Sequence, residues 1–286
     1  MTSSAGPRTL YVSDLDRTLL RSDGSLSAAS ARLLNAAIDG GALFTYATAR
    51  SFLSSRRATK ALRLRLPLLT YGGTITADPD TGQPADLRLL GATTVQATLR
   101  LCDAHATAEP IMHTFEDGRD WIRWRPERMT LGVQTFLASR SNDPRLRPAT
   151  ADDPLDAASV FYISILAQNP ELTGLRTALI PELGSAAHFL SVDPGTPGLD
   201  WLEFHHEDGT KAKAIQRLAS TLDADRLVVF GDNHNDLPMF AIADESYAVS
   251  NAVPAVRDAA TRVINSNDED AVARWITADR QTSSRT

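Results

Sequence analysis

The stretch Thr9-Leu-Tyr-Val-Ser-Asp14-Leu-Asp16-Arg-Thr18 constrains this chain most. Its first four residues are β-branched, aromatic and aliphatic with no charge, which predicts a short buried strand. The strand ends in two closely spaced aspartates and then a hydroxyl. In an open α/β sheet, chemistry collects beyond the carboxyl ends of the strands, so Asp14 and Asp16 are expected to project into that crevice. Carboxylates there can attack a phosphoryl group or hold a hard cation. The same residues also suit a plain strand followed by an Asx turn, so the rest of the chain has to decide.

The pattern recurs. Ser27 is placed to cap a helix running to about residue 37, with Leu33, Leu34 and Ile38 on one face, and Gly40-Gly41 stops it. A second apolar strand over 43–47 ends in Thr48-Ala49-Arg50, and a helix rich in Arg and Leu follows to about residue 64. A third strand over 66–70 ends in Tyr71-Gly72-Gly73. Strand, helix, strand, helix, strand predicts a doubly wound, mostly parallel α/β sheet. The rhythm returns from Gly209. A helix over 210–222 begins beside Lys211, a strand over 227–230 leads into Gly231-Asp232-Asn233-His234-Asn235-Asp236, and alternating short elements complete the unit.

Between these parts the character changes. A helix over 93–106 with Val95, Leu99 and Leu101 turned inward is followed by a hairpin whose turn is Glu116-Asp-Gly-Arg119. Strands at 160–165, 187–192 and 201–204, with a helix over 171–181, predict an inserted α+β domain with an antiparallel sheet. The expected division is residues 1–80 with 207–286 for the core and 81–206 for the insertion.

Composition excludes several classes. A formal net charge of −6 argues against a protein built to coat nucleic acid. No apolar run is long enough to span a membrane, and the first residues lack the apolar segment of a signal peptide, so a cytoplasmic location is expected. Cys102 is the single cysteine, which excludes an intramolecular disulfide and a cysteine-rich zinc site. It is expected to pack as a small apolar residue.

Four strand ends thus carry polar chemistry: Asp14 and Asp16, Thr48 and Arg50, Tyr71-Gly72-Gly73, and Asp232 and Asp236. Side by side in one parallel sheet they would line a single crevice suited to phosphoryl transfer. A phosphate monoester approaching an anionic nucleophile needs its charge neutralised, and oxygen ligands suit Mg²⁺. Asp14 and Asp232 are the best direct ligands. Thr48 offers a hydroxyl, the backbone N–H groups near Leu15 and Gly72 offer further donors, and Lys211 a permanent positive charge. Lys213 is a rival for that role on a different helix face. A calcium loop starting at Asp232 fails, because Leu237 and Ala243 stand where Gly and Glu are required.

In that order, Asp14-Leu-Asp16-Arg-Thr18, Thr48-Ala-Arg50, Lys211 and Gly231-Asp-Asn-His-Asn-Asp236 resemble the four motifs of the haloacid dehalogenase-like (HAD) hydrolases. The long insertion between the second and third resembles the large cap of the Cof-type phosphatases. The stretches at 247–252 and 265–270 are also similar to that group. The resemblance implies a Rossmann-like core and an aspartyl-phosphate mechanism acting on a small phosphorylated metabolite, with a sugar phosphate as one candidate. Asp14 would be the nucleophile and Asp16 the general acid and base. Thr48 and Lys211 would bind the phosphoryl group, with Leu15, Arg50, Gly72, Gly73 and Asn235 around the substrate. Mg²⁺ would sit on Asp14, the Asp16 carbonyl and Asp232, with Asp236 and Asn235 orienting that shell.

Arg17, Ala49 and Tyr71 depart from the group, which usually has Gly, Gly and Asn there. The cap would supply selectivity through His113, Glu116, Arg119, Trp121, Arg123 and Trp124, while His205 and His206 are expected at a hinge surface and His234 as a bystander. A phosphomutase and a phosphoacceptor switch of the receiver type remain alternatives at this stage.

Overall fold

The computed structural model describes residues 8–105, 108–192 and 197–283. The expectations for the first seven residues, for Ala106 and for the last three lie outside the described residues. The chain divides into two compact units, one formed by residues up to Asp86 together with those from Thr210 onward, the other by Leu87–Gly209.

The first unit is built on a five-stranded parallel sheet. Its order is Arg262–Ile264, Glu245–Val249, Arg226–Gly231, Thr9–Ser13 and Leu43–Tyr46. Leu10, Tyr11 and Val12 are all buried, which is why this strand reads as a continuous apolar run and not as an alternation. The chain leaves the Thr9–Ser13 strand toward Leu43–Tyr46 on one side and returns from the insertion as Arg226–Gly231 on the other. The sheet's order reverses there, and such a switch point leaves a crevice at the carboxyl ends. Helix Ala28–Asp39 packs on helix Ala271–Ser283, and helix Lys211–Thr221 on Leu237–Phe240 and the Tyr71–Gly73 turn. Ser27 caps the first of these as expected, its hydroxyl accepting the Ser30 N–H at 2.9 Å.

Several sequence expectations shift. The helix after Arg50 spans only Phe52–Ala58. Strand Leu68–Thr70 touches the parallel sheet through a single bridge, Ala47 to Leu69, and otherwise pairs antiparallel with Ile75–Ala77. The turn at Asp78 leads from Ile75–Ala77 into Pro84–Leu87, and the two compact units divide after Asp86 and after Gly209, where the sequence suggested residues 80 and 206. The last helix, expected over 268–275, is Ala271–Ser283, because Asp270 is left-handed (φ 61°) and separates it from the 3₁₀ turn Asn267–Glu269.

The second unit is α+β. Its sheet runs Arg119–Arg123, Pro110–Glu116, Val160–Ala167, Asp200–His206 and Ala187–Val192, every neighbouring pair antiparallel. Helices Ala92–Asp103 and Asn169–Leu183 bury Val95, Cys102, Leu172, Leu175 and Leu179 against one face. The buried stripe of the first helix is Val95, Thr98 and Cys102, while Leu99 and Leu101 are only partly covered. A helix absent from the sequence reading, Leu131–Ala138, is capped by Thr130 and packs Val133 and Phe136 on Ile111, Ile122 and Leu166. No helix among the described residues is long and apolar enough to cross a membrane.

Candidate active site

Asp14 follows directly from the Thr9–Ser13 strand, and its N–H donates to the Phe230 carbonyl of the neighbouring strand at 2.9 Å. Asp232 follows directly from that neighbour, Arg226–Gly231. Parallel register therefore carries both aspartates to the same edge. Carboxylate oxygens of Asp14, Asp232 and Asp236 lie within 4.8 Å of one another, and all three residues are buried.

Lys211 enters from the first turn of its helix, which Thr210 caps. Its Nζ donates to Asp14 Oδ1 at 2.5 Å and to Asp236 Oδ1 at 2.8 Å. Lys213 is exposed. The choice between the two lysines comes from helix face: the side that packs on the core also carries Ala214, Ile215 and Leu218. Gly73 packs against this helix start at φ 104°, and a Cβ there would sit 2.4 Å from the Thr210 carbonyl oxygen. Its requirement is thus the close seating of Lys211.

Asp236 builds the loop that carries Asp232. Its Oδ2 accepts the backbone N–H groups of Asp232 at 2.9 Å and Asn233 at 3.1 Å. Gly231 makes room for it, since a Cβ would meet the Asp236 side chain at 2.6 Å. Asn233, which the sequence reading passed over, caps the turn by accepting the His234 N–H at 2.8 Å. Thr18 also acquires a place: its hydroxyl donates to Asp232 Oδ1 at 3.1 Å.

Three buried carboxylates face one ammonium, so the fully ionised cluster is negative. Burial pushes the Asp14 carboxyl up to about 8 against the opposing pull of Lys211. Burial, followed by the charge of Asp236, pushes Asp232 up to about 6. Burial also works against the Lys211 ammonium, but Asp14 and Asp236 outweigh it and hold the cation firmly protonated. An all-oxygen donor set with excess negative charge fits a hard divalent cation, which would relieve both raised carboxyls. The described residues group no His or Cys with these carboxylates, so a zinc site of the usual nitrogen- and sulfur-rich kind has no ligands here.

Asp16 stands apart from this cluster. Its half-exposed carboxylate is gripped by Arg50, with Nε to Oδ2 at 2.8 Å and Nη2 to Oδ1. Thr48 is buried, its Oγ1 accepting the Arg50 N–H at 3.1 Å. The Gly72 N–H, expected as an anion donor, is instead committed to the Thr48 carbonyl at 2.9 Å, and the Tyr71 N–H to the Arg50 carbonyl at 3.0 Å. Those bonds zip the two loops together, which is the part Gly72 plays. Leu15 is fully buried beside Asp14, while Asn235 and His234 are exposed on the Asp232 loop.

In the second unit, most of the proposed contact residues are spent on the hairpin. Arg123 is fully buried and bonds Glu116 at 3.1 Å and the Asp153 carbonyl at 2.8 Å. Arg119 stacks over Trp121 at 4.0 Å, and Trp124 packs beside Ile111 and Phe136. His113 lies buried among Phe136, Phe161 and Tyr162, and burial drives its pKa down to about 3. His205 is not hinge surface. It sits buried in a strand against Tyr162, its pKa lowered to about 4 by burial, whereas His206 accepts the Asp208 N–H at 3.0 Å.

The chain is similar to known proteins over most of its length. An HMP-PP phosphatase from Yersinia enterocolitica is 27% identical over 268 residues, covering 92% of each chain. A 5-amino-6-(5-phospho-D-ribitylamino)uracil phosphatase from Bacillus subtilis is 23% identical, over 93% of this chain and 96% of its own. Among solved structures, a haloacid dehalogenase-like hydrolase from Bacteroides thetaiotaomicron superposes with a TM-score of 0.77 at 20% identity, covering 95% and 99% of the two chains. The profile of the haloacid dehalogenase-like hydrolases itself matches residues 11–276, spanning both halves of the parallel sheet and everything inserted between them, and this chain is a member of that family.

Proposed function

We propose that this hydrolase is a Mg²⁺-dependent phosphomonoesterase that works through an aspartyl-phosphate. The observation that carries the reading is the buried group of Asp14, Asp232 and Asp236 with Lys211 bonded to two of them. A receiver-type switch needs no second aspartate of the kind Asp16 supplies, and it should not turn over.

In this reading Asp14 attacks phosphorus through a carboxylate oxygen, forming a C–O–P link while the bond to the leaving oxygen breaks. Asp16 delivers a proton to that oxygen, then takes one from the water that attacks phosphorus and releases Asp14. Lys211 holds Asp14 in line and faces the phosphoryl oxygens, and Thr48 donates its hydroxyl to another of them. Asp14 and Asp232 would hold Mg²⁺, together with the Asp16 carbonyl, and Asp236 fixes the Asp232 loop in the manner of an outer partner. Bound there, the metal would neutralise charge between the anionic nucleophile and the incoming phosphate.

The substrate we propose is a small phosphorylated metabolite. The relatives' names point to phosphorylated small molecules, and a sugar phosphate belongs in the same panel. The second unit, at 81–206 by sequence and Leu87–Gly209 by contacts, would act as the cap that selects among them.

The test is phosphate release from such a panel, with and without Mg²⁺, by the wild type and Asp14→Asn. Loss of on the order of a thousandfold or more is expected, with a base-labile phosphoenzyme trapped only in the wild type. Retained release in the variant would remove Asp14 as nucleophile. An isomeric product with little inorganic phosphate would assign a mutase instead.

A further inference from the structure

The stretches at 250–253 and 265–270 have no place in the chemistry above, yet they bind the turn that follows Asp14. That turn is closed by the Leu20 N–H on the Leu15 carbonyl at 2.8 Å and is kinked at Arg17, whose φ of 59° lies in the left-handed region. Asn251 Nδ2 donates to the Arg17 carbonyl at 2.8 Å, and Asn267 Nδ2 to the Leu20 carbonyl at 3.0 Å. The Asn267 N–H in turn donates to Asn251 Oδ1 at 3.0 Å. Two amides therefore run in series from Leu20 to Arg17 and grip the kink at the carbonyls of those two residues.

The same segment also holds the opposite wall. The Val253 N–H donates to the Asp232 carbonyl at 2.9 Å. Within the kink, Thr18 reaches Asp232 Oδ1. Residues 251–253 thus bridge the loop of Asp14 and Asp16 to the loop of Asp232. Asn267 is 2% exposed and cannot exchange its partners for water. Farther along, Asp268 accepts the Ser22 N–H and hydroxyl at 3.0 and 2.8 Å on the exposed side.

We propose that Asn251 and Asn267 are positioning residues for the reaction: their relay clamps the kinked turn and so sets Asp14 and Asp16 against Asp232. A left-handed arginine is a strained conformation that relaxes unless its surroundings hold it. Released, the turn swings Asp16 and Thr18 relative to the acidic cluster, and sub-ångström errors there are costly to phosphoryl transfer. The inference rests on the phosphatase reading for its kinetic part and on the backbone geometry alone for the rest.

The test compares Asn251→Asp, which keeps the shape and loses the donor, with Asn251→Ala, Asn267→Ser and the outer control Asp268→Asn. Kinetics on 4-nitrophenyl phosphate are read beside amide hydrogen exchange over residues 15–20. For the Asn251 and Asn267 variants, kcat should fall on the order of tenfold to a hundredfold with KM within about threefold. Exchange should quicken by about tenfold or more in that turn and little elsewhere. Asp268→Asn should leave both unchanged. Unaltered exchange at 15–20, or a lowered melting temperature with unaltered kcat per folded molecule, overturns the proposal. A wild type that releases no phosphate removes the assigned reaction, while the exchange measurement still decides the relay.

Discussion

Arg50 grips Asp16 with two parallel hydrogen bonds, one of them 2.8 Å long, although the two residues sit at the ends of different strands. The fork aims the one carboxylate of the site that lies outside the buried cluster. Arg50→Lys and Arg50→Ala should therefore cost activity, roughly tenfold to a hundredfold in kcat, through lost aim. Stability should change by less than about 1 kcal/mol, because Asp16 is half-exposed and water screens the pair. Thermal melts alongside kinetics would separate the two.

Asp16→Asn should discriminate between leaving groups. A proton donor matters most when the departing oxygen is a poor leaving group. Hydrolysis of an alkyl phosphate such as a sugar phosphate should fall at least tenfold more than hydrolysis of an aryl phosphate. Equal losses on both would assign Asp16 a different task.

Lys211→Met removes the cation that two buried carboxylates share. Breaking a buried pair in this way costs about 3–5 kcal/mol, and here it leaves like charges facing one another. The variant should melt well below the wild type in chelator and recover part of the difference on adding Mg²⁺. Phosphate release should drop by roughly two to three orders of magnitude.

Proton linkage gives a pH signature. In the metal-free protein Asp232 and Asp14 are raised to about 6 and about 8, above their ordinary 3.8, so the folded state binds protons that the unfolded state has released. The sign follows directly: stability conferred by these two groups is full at low pH and is lost as pH rises through about 6 and then about 8. A bound cation favours the ionised forms, so Mg²⁺ uptake should expel protons and tighten with rising pH across that window. Calorimetric titration in buffers of different ionisation enthalpy would count them, and the absence of proton release would contradict the assignment of the ligands.

Two backbone substitutions should move stability in opposite directions. Arg17→Gly relieves a left-handed conformation on an exposed side chain and should stabilise the protein by about 0.5–1 kcal/mol. Gly73→Ala drives a methyl group into the Thr210 carbonyl and should cost about 1–3 kcal/mol. Because it displaces the start of the Lys211 helix, it should also lower kcat. Denaturant melts of both variants read the signs directly.

Much of this architecture was legible in the chain. Uninterrupted apolar runs such as Leu10-Tyr-Val12, repeated in alternation with helices, read as strands covered on both faces, and the polar groups that end them then lie at one edge of a parallel sheet. The sequence thus put Asp14 and Asp232 at strand ends of one sheet, while the pairing of Thr9–Ser13 with Arg226–Gly231 made those strands neighbours. It could not say which donors were already taken. The Gly72 N–H looked available for an anion until the loops at Thr48 and Tyr71 were seen zipped together, and Arg123 looked like a contact residue until its carboxylate partners closed around it. His205, adjacent to a boundary, was drawn into a strand by register. The relay of Asn251 and Asn267 was invisible for the same reason. Local composition and periodicity determine which elements form, because those depend on near neighbours and on burial. Tertiary structure alone decides which polar groups satisfy each other, because partners such as Asn251 and Arg17 stand 234 residues apart in sequence and meet only in space.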